Sequence, residues 1–333
     1  MKKYKVVDAH GDIPVDIFLR REMGEKNVLD SQYYEKLQQV GMKVQVMAIY
    51  VEERYKPHQA LEMALRQIEA LLDDLDESKE FILIKNQLDL NNVISGNQIG
   101  VLLDMEGAEP IEGGIELLHL FYRLGVRMIG FTWNQRNMLA NGINEEDLNG
   151  GLTEYGKEVL KECDRLGMMI DVSHLNRAGL KDILKYSNGN VLASHASSRT
   201  MYDIQRNIND DDIKEIAARD GIIGIPAFPH ILSETLPDVD TVIDHISHLL
   251  KIAGNKHVGI GADFIDIFVD MINKGRMGKE WILPKEEETV GFSSVKDLPN
   301  LFNAMEKKGF STELISDVAG ENFLNFFKRA LPK

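Results

Sequence analysis

The sequence predicts an α/β chain of the (β/α)8 TIM-like barrel class with extra C-terminal helices. Eight apolar runs of strand length alternate with helical patterns along the chain. The runs are continuously apolar rather than alternating, as expected of parallel strands covered on both faces. Five of them end in histidine or carboxylate residues, and in a barrel the carboxyl ends of the strands form one rim. A doubly wound open sheet is the other arrangement that this alternation permits.

The strand candidates, in order, are Tyr4–His10, Lys43–Val51, Gly100–Met105, Val126–Thr132, Met168–Ser173, Val191–His195, Ile222–Pro226 and Val258–Ala262. Helical periodicity marks Pro57–Leu75, Gly114–Leu124, Glu154–Leu166, Arg177–Tyr186, Asp210–Arg219 and Val239–Ile252. Gly125, Gly167 and Gly221 sit where helix C-caps would feed straight into strands. After the last strand, Asp266–Ser294 is long and poorly periodic, with Met271, Met277, Trp281 and Glu286-Glu287-Glu288; such a stretch reads as a lid, a binding loop or disorder. The tail then turns helical at Asp297–Lys307, Thr312–Ala319 and Glu321–Leu331, segments expected to pack on the outside of the barrel. With no low-complexity linker and no repeat beyond the β/α alternation, the expectation is a single domain spanning 1–333.

Composition narrows the function classes. The 333 residues are 44% hydrophobic and 27% charged, an ordinary globular balance. A net charge of -15 without an arginine-rich block argues against nucleic acid or an anionic membrane surface as partner. No run of 18 apolar residues offers a membrane span. Met1-Lys2-Lys3 is basic but lacks the following apolar core of a secretory leader. The lone cysteine, Cys163, lies in a helical pattern as a buried, inert thiol and suits a reducing compartment, so the expected location is cytoplasmic.

The chemistry gathers at the strand ends. The first strand runs into His10-Gly11-Asp12, where two side chains two residues apart share a face and can hold a divalent cation. The third ends in Met105-Glu106-Gly107, the fifth in Asp171-Val172-Ser173-His174, the sixth in Ser194-His195, and the eighth in Ala262-Asp263. Alone, His10 would cap a turn, Asp12 would be a solvated loop residue and Asp263 a helix N-cap. Together, His10, Asp12, Glu106, His174 and His195 exceed what one tetrahedral ion needs. The surplus points to two divalent cations bridged by a carboxylate, a pair that can lower the pKa of water and polarise a carbonyl. Asp263 is then a proton carrier. Arg206, in the loop after the sixth strand, either clamps a substrate carboxylate or pairs with Asp210–Asp212 on the surface. His230, in the loop after the seventh strand, is near the site, where a substrate contact is open to it; His119, His245 and His248 read as surface or packing residues, His257 precedes the eighth strand at the far end of the barrel, and His58 shares a helix face with Glu62 but lacks further ligands nearby.

The ordered set of motifs resembles the membrane (renal) dipeptidase family of the amidohydrolase superfamily over nearly the whole chain. Its carriers are Asp8-Ala9-His10-Gly11-Asp12, Met105-Glu106-Gly107-Ala108, Gly125-Val126-Arg127, Asp171-Val172-Ser173-His174, Ser194-His195-Ala196-Ser197-Ser198, Arg206-Asn207 and Gly259-Ile260-Gly261-Ala262-Asp263-Phe264. The resemblance implies a barrel fold with two zinc ions: one held by His10 and Asp12, the other by His174 and His195, with Glu106 bridging. It assigns general acid/base work to Asp263 and the dipeptide carboxylate to Arg206. It implies hydrolysis of dipeptides, including those with a C-terminal D-residue, and a homodimer. Where mammalian members carry a histidine near the scissile carbonyl this chain has Trp133, with Asn134 beside it as the alternative donor; substrate binding or β-lactam opening would change there. The missing leader and lipid-anchor signals resemble a soluble bacterial member. Other metal-dependent amidohydrolase activities, such as lactonase or phosphoesterase, and a non-catalytic metal-binding scaffold are the rival readings.

Overall fold

Among the described residues of the computed structural model, nine parallel strands are present: β1 Val6–Asp8, β2 Met42–Tyr50, β3 Phe81–Leu83, β4 Ile99–Glu106, β5 Val126–Gly130, β6 Met169–Asp171, β7 Val191–Leu192, β8 Ile223–Ile225 and β9 Val258–Ile260. The structure describes residues 4–278 and 287–333, so Met1-Lys2-Lys3, Trp281 and Glu286 lie outside the described residues. Hydrogen-bonded neighbours run β7-β6-β5-β4-β2-β1-β9-β8. The two ends of that row meet through a parallel bridge between Ala193 and Ile223. There the Ala193 N–H donates to the Ile222 carbonyl at 2.9 Å and the Gly224 N–H donates to the Ala193 carbonyl at 2.8 Å. Eight strands thus form the nearly closed barrel that the sequence predicts. The ninth, β3, pairs with the first residues of β4 (Phe81 opposite Ile99, Leu83 opposite Val101) and was not visible as a strand in the sequence because it is only three residues long.

Register decides which residues share the rim. Tyr50 pairs with Glu106, Glu106 with Gly130, Gly130 with Asp171 and Asp171 with Leu192. The strands stop earlier than the apolar runs suggest: β6 ends at Asp171 rather than Ser173 and β7 at Leu192 rather than His195. The residues beyond them leave the ladder and turn their side chains over the barrel mouth. Sequence also passed over the helix Ile13–Glu22, whose Pro14 occupies a favoured first-turn position.

Inside the barrel, Val7, Val44, Val46, Leu102, Met128, Met169 and Leu192 pack with Phe323, Leu324 and Phe327, each of these residues buried. The final helix, Asn322–Ala330, therefore does not merely cover the outside of the barrel. Its aromatic face plugs the end opposite the rim that carries the histidines and carboxylates, and Phe323 lies directly against Gly259 of β9. Filling the floor with aromatic side chains removes the void that short strands would leave and leaves only the rim open. The stretch after β9 is partly built into the core: Met271, Met277, Thr289 and Phe292 are buried, and Asp238 bridges to Val290. Cys163 is fully buried, and burial pushes its thiol pKa up. Among the described residues, no helix is long and apolar enough to cross a membrane.

Gly261 carries the sharpest packing constraint near the site. A Cβ there would overlap the Ser194 carbonyl oxygen, which is backbone and cannot step aside. Gly261→Ala should therefore force β9 away from β7 and cost roughly 1–3 kcal/mol. Urea denaturation reads this directly, and an unshifted midpoint would mean that the seam is looser than its backbone spacing.

Candidate metal centre

His10 follows β1, and Asp12 occupies the N-cap position of the helix Ile13–Glu22 but makes no capping bond with its side chain. A carboxylate at a helix start without a capping role is free to face the barrel mouth. His10 is 1% exposed and Asp12 8%, which removes the turn-cap and solvated-loop readings. Glu106 is the last residue of β4, and His174, His195 and Asp263 lie in the turns after β6, β7 and β9. His174 and Asp263 adopt left-handed backbone conformations, with φ of 64° and 54°. Such angles are uncommon outside glycine and concentrate at functional sites, held there by the surrounding structure.

Glu106 is the hub. Its Oε1 lies 3.1 Å from His174 Nε2, 3.6 Å from His10 Nε2 and 3.7 Å from His195 Nε2. His10 Nε2 is 4.0 Å from both Asp12 Oδ1 and Asp263 Oδ1. The His10 and His195 rings stack at 3.8 Å, and the Nε2 atoms of His174 and His195 are 2.9 Å apart. Burial drives the ionisations away from charge. His10 is pushed down to about 3, chiefly by burial and then by the Arg206 charge. Burial also lowers His174 and His195, and it raises Asp12 and Glu106, whose mutual proximity to Asp263 adds to the rise. Asp263 is raised to about 6 by burial, with Arg206 pulling the other way.

Second-rank partners set the orientation of the imidazoles. His174 Nδ1–H donates to Asn134 Oδ1 at 2.7 Å. His195 Nδ1–H donates to Ser194 Oγ at 2.7 Å, and the Ser194 hydroxyl in turn donates to Asp171 Oδ2. Both rings thus carry the proton on Nδ1 and aim the Nε2 lone pair inward. Asp171 Oδ1 also accepts from the Ser173 and Ser194 amides at 3.0 and 2.9 Å. Asp8 repeats the device across β1 and β9, accepting from the His10 and Ala262 amides at 3.3 and 2.8 Å. Sequence reasoning missed Asp8, Asp171 and Ser194 as positioning residues, although all three lie inside the motifs that it singled out.

Above the centre opens a cavity of about 490 Å³, lined by Asp12, Glu106, His174 and Asp263 on its floor and by Trp133, Asn134, Arg206 and His230 on its sides. Arg206 donates from Nη2 to the His195 carbonyl at 2.9 Å and lies 3.1 Å from His174 Nε2. It does not make the surface pairing with Asp210–Asp212: Asp210 meets Ser198 and His248, while Asp212 meets Arg177 and Lys181. His248 and His245 act as ties for the Arg206 loop, since His245 contacts Ser197 and is 2.9 Å from the Leu232 carbonyl. Trp133 faces His174, with ring centroids 5.8 Å apart.

The sequence model of the membrane dipeptidase family, peptidase family M19, matches residues 1–331. The chain belongs to that family. An uncharacterised dipeptidase of Schizosaccharomyces pombe is 26% identical over 353 residues, covering 98% of this chain and 80% of the relative. Dipeptidase 3 of Rattus norvegicus is 25% identical over 344 residues, covering 99% of this chain and 66% of its own. Two solved structures share the fold. A metallo peptidase from Rhodobacter sphaeroides, bound to a phosphinate mimic of the dipeptide L-Ala-D-Ala, has a TM-score of 0.83 at 23% identity, with 98% of this chain and 99% of that chain covered. Dipeptidase AC, of family M19, has a TM-score of 0.83 at 24% identity, with 99% and 100% covered.

As an M19 member the chain is a metal-dependent dipeptidase, a hydrolase of peptide bonds. The donor set fits divalent cations. Two inward lone pairs, those of His174 and His195, face each other across 2.9 Å. His10 Nδ1 and Nε2 and Asp12 Oδ1 are buried without a hydrogen-bond partner. Neutral imidazoles and crowded carboxylates are each destabilised alone and both favoured by an added positive charge. Among the described residues, two groups bring their donor atoms within 4.8 Å of one another: His10 with Glu106 and His195, and His10 with Asp12 and Asp263. The second group places Asp263 within reach of the His10–Asp12 corner, a placement that sequence alone did not anticipate.

If the Nδ1 partners set the lone pairs, Ser194→Ala and Asn134→Leu should each weaken cation binding about 10–100-fold. Competition against a chelator of known affinity measures this. Unchanged affinity in both variants would show that the rings hold their orientation without them.

Proposed function

We propose that this M19 dipeptidase is a binuclear zinc enzyme that hydrolyses small dipeptides, including those with a C-terminal D-residue. The reading rests on one arrangement: three imidazoles surround a single Glu106 oxygen at the floor of a cavity whose side wall carries Arg206. His10 and Asp12 would hold one cation, His174 and His195 the other, and Glu106 would bridge them. Bound there, the pair supplies Lewis acidity for the scissile carbonyl and acidifies the attacking water. Nitrogen and oxygen donors in this proportion suit zinc.

The remaining work falls to protein side chains. Asp263, raised to about 6 by burial, can accept the proton that the attacking water loses and return it to the departing amine as the C–N bond breaks. Arg206, held by the His195 carbonyl, offers its remaining N–H groups to the terminal carboxylate of the dipeptide. That contact would orient the scissile bond toward the residues that hold the cations and would discriminate against esters and lactones lacking a free carboxylate. Asn134 is committed through Oδ1 to His174, so its contribution to substrate is through the position of that ring. Trp133 forms wall, and its indole can donate one hydrogen bond but carries no charge. Buried Cys163 is in keeping with action in the cytoplasm.

Hydrolysis of L-Ala-D-Ala should be abolished by chelation and restored by zinc; equal rates before and after chelation would sink the metal-dependent reading. Asp263→Asn should lower turnover about 10²–10⁴-fold with metal content retained. A matching loss of metal would instead make Asp263 a ligand of the His10–Asp12 corner. Arg206→Met should raise KM roughly 10–100-fold, as expected for losing a charge-assisted contact, with kcat changed far less. Trp133→His should alter relative rates across dipeptides, and identical profiles would make that wall position indifferent.

A further inference from the structure

We propose that the enzyme selects dipeptides whose carboxylate-bearing residue has a bulky apolar side chain, an inference that rests on the dipeptidase reading above. Beside the metal-facing residues at its floor and the polar Asn134, Arg206 and His230, the cavity is walled by large apolar and aromatic side chains: Tyr50, Trp133, Ile143, Phe228, Ile231 and Ile265 all line it. They come from four separate regions, the end of β2 and the segments after β5, β8 and β9, so no single packed segment accounts for the patch. Trp133, Ile143, Phe228 and Ile265 are only half-buried. Four half-exposed large side chains converging on one cavity are matched by apolar ligand surface, not by a substrate side chain that brings charge.

Backbone ties assign the side of the cavity. Ile231 accepts from Asn207 Nδ2 at 2.8 Å through its carbonyl, and Asn207 is the neighbour of Arg206. Phe228 and Ile231 are therefore fixed relative to the carboxylate clamp, where the side chain of the carboxylate-bearing residue lies. Ile143 is tied instead to the turn after β6, its N–H donating to the His174 carbonyl at 3.0 Å. With about 490 Å³ available, a dipeptide of two alanines leaves the Phe228–Ile231 wall uncovered. A buried methylene in such a pocket is worth about tenfold or more in kcat/KM. A charged side chain there would lose hydration against Phe228 and Ile231, with the His230 imidazole as the polar group beside them on the same segment.

The test is a series L-Ala-D-X with X as Ala, Val, Leu, Phe, Asp and Lys, on the zinc-loaded full chain. The expected result is kcat/KM at least about tenfold higher for Leu and Phe than for Ala, with Asp and Lys below Ala. Phe228→Ala and Ile231→Ala should each compress the Leu-to-Ala ratio to about threefold or less; Phe228 is half-exposed, so that variant stays measurable if Ile231→Ala folds poorly. A flat series, or one led by Asp or Lys, in an enzyme that does hydrolyse L-Ala-D-Ala overturns the selectivity alone. A steep series that neither variant compresses overturns the assignment to this wall. No hydrolysis of any member overturns the dipeptidase reading, and the selectivity falls with it.

Discussion

Glu106 Oε1 lies between 3.1 and 3.7 Å from three histidine nitrogens that come from the turns after three different strands. Those rings are neutral, buried and close enough to stack, and three carboxylates crowd the same volume. Each group is unfavourable in that setting by itself, because burial without a counter-charge penalises the ionised form of an acid and leaves imidazole lone pairs unsatisfied. A cluster of this kind persists only where the scaffold leaves it no room to relax. The closed strand row, the aromatic plug beneath it and the seam at Ser194 supply that rigidity.

Orientation is then handled one layer out. Asp171 holds two backbone amides and the Ser194 hydroxyl, and through Ser194 it sets the proton of His195. Asn134 does the same for His174. Asp8 binds the first strand to the last at the point where both enter the site. These are short, buried interactions in a low-dielectric setting, where a misplaced partner is costly and a satisfied network rigidifies its members. The positive φ angles of His174 and Asp263 belong to the same arrangement. The backbone turns sharply at those two residues, just past the strand ends, so that the side chains point across the mouth rather than along the wall.

The substrate side follows a different logic. Arg206 belongs to a loop tied down by Ser197–His245, Ser198–Asp210–His248 and the Asn207–Ile231 contact. Arg206 is thereby positioned by residues that read as ordinary surface or packing positions. Two histidines set aside in the sequence turn out to stabilise the loop that carries the arginine, without approaching the metal-facing cluster. Activity and selectivity in this fold thus rest on separate supports: strand ends for the cations, loops for what lies above them.

Much of this was legible in one dimension. Continuous apolar runs with helical spacers identify a covered parallel sheet, since only burial on both faces removes alternation. Polar residues at the ends of such runs identify the rim, because the β/α unit always delivers its strand termini to the same end of a barrel. His10, Asp12, Glu106, His174, His195 and Asp263 were therefore recoverable as a set. Their partition was not: that Asp263 stands at the His10–Asp12 corner, that Asn134 serves His174 rather than standing alone, and that Phe323 and Phe327 fill the barrel floor depend on contacts between residues far apart in the chain. Local pattern encodes which face a side chain takes and where a strand stops, because these follow from backbone geometry over a few residues. Which groups then meet, and so which proton sits on which nitrogen, depends on register and closure, and those exist only once the barrel has formed.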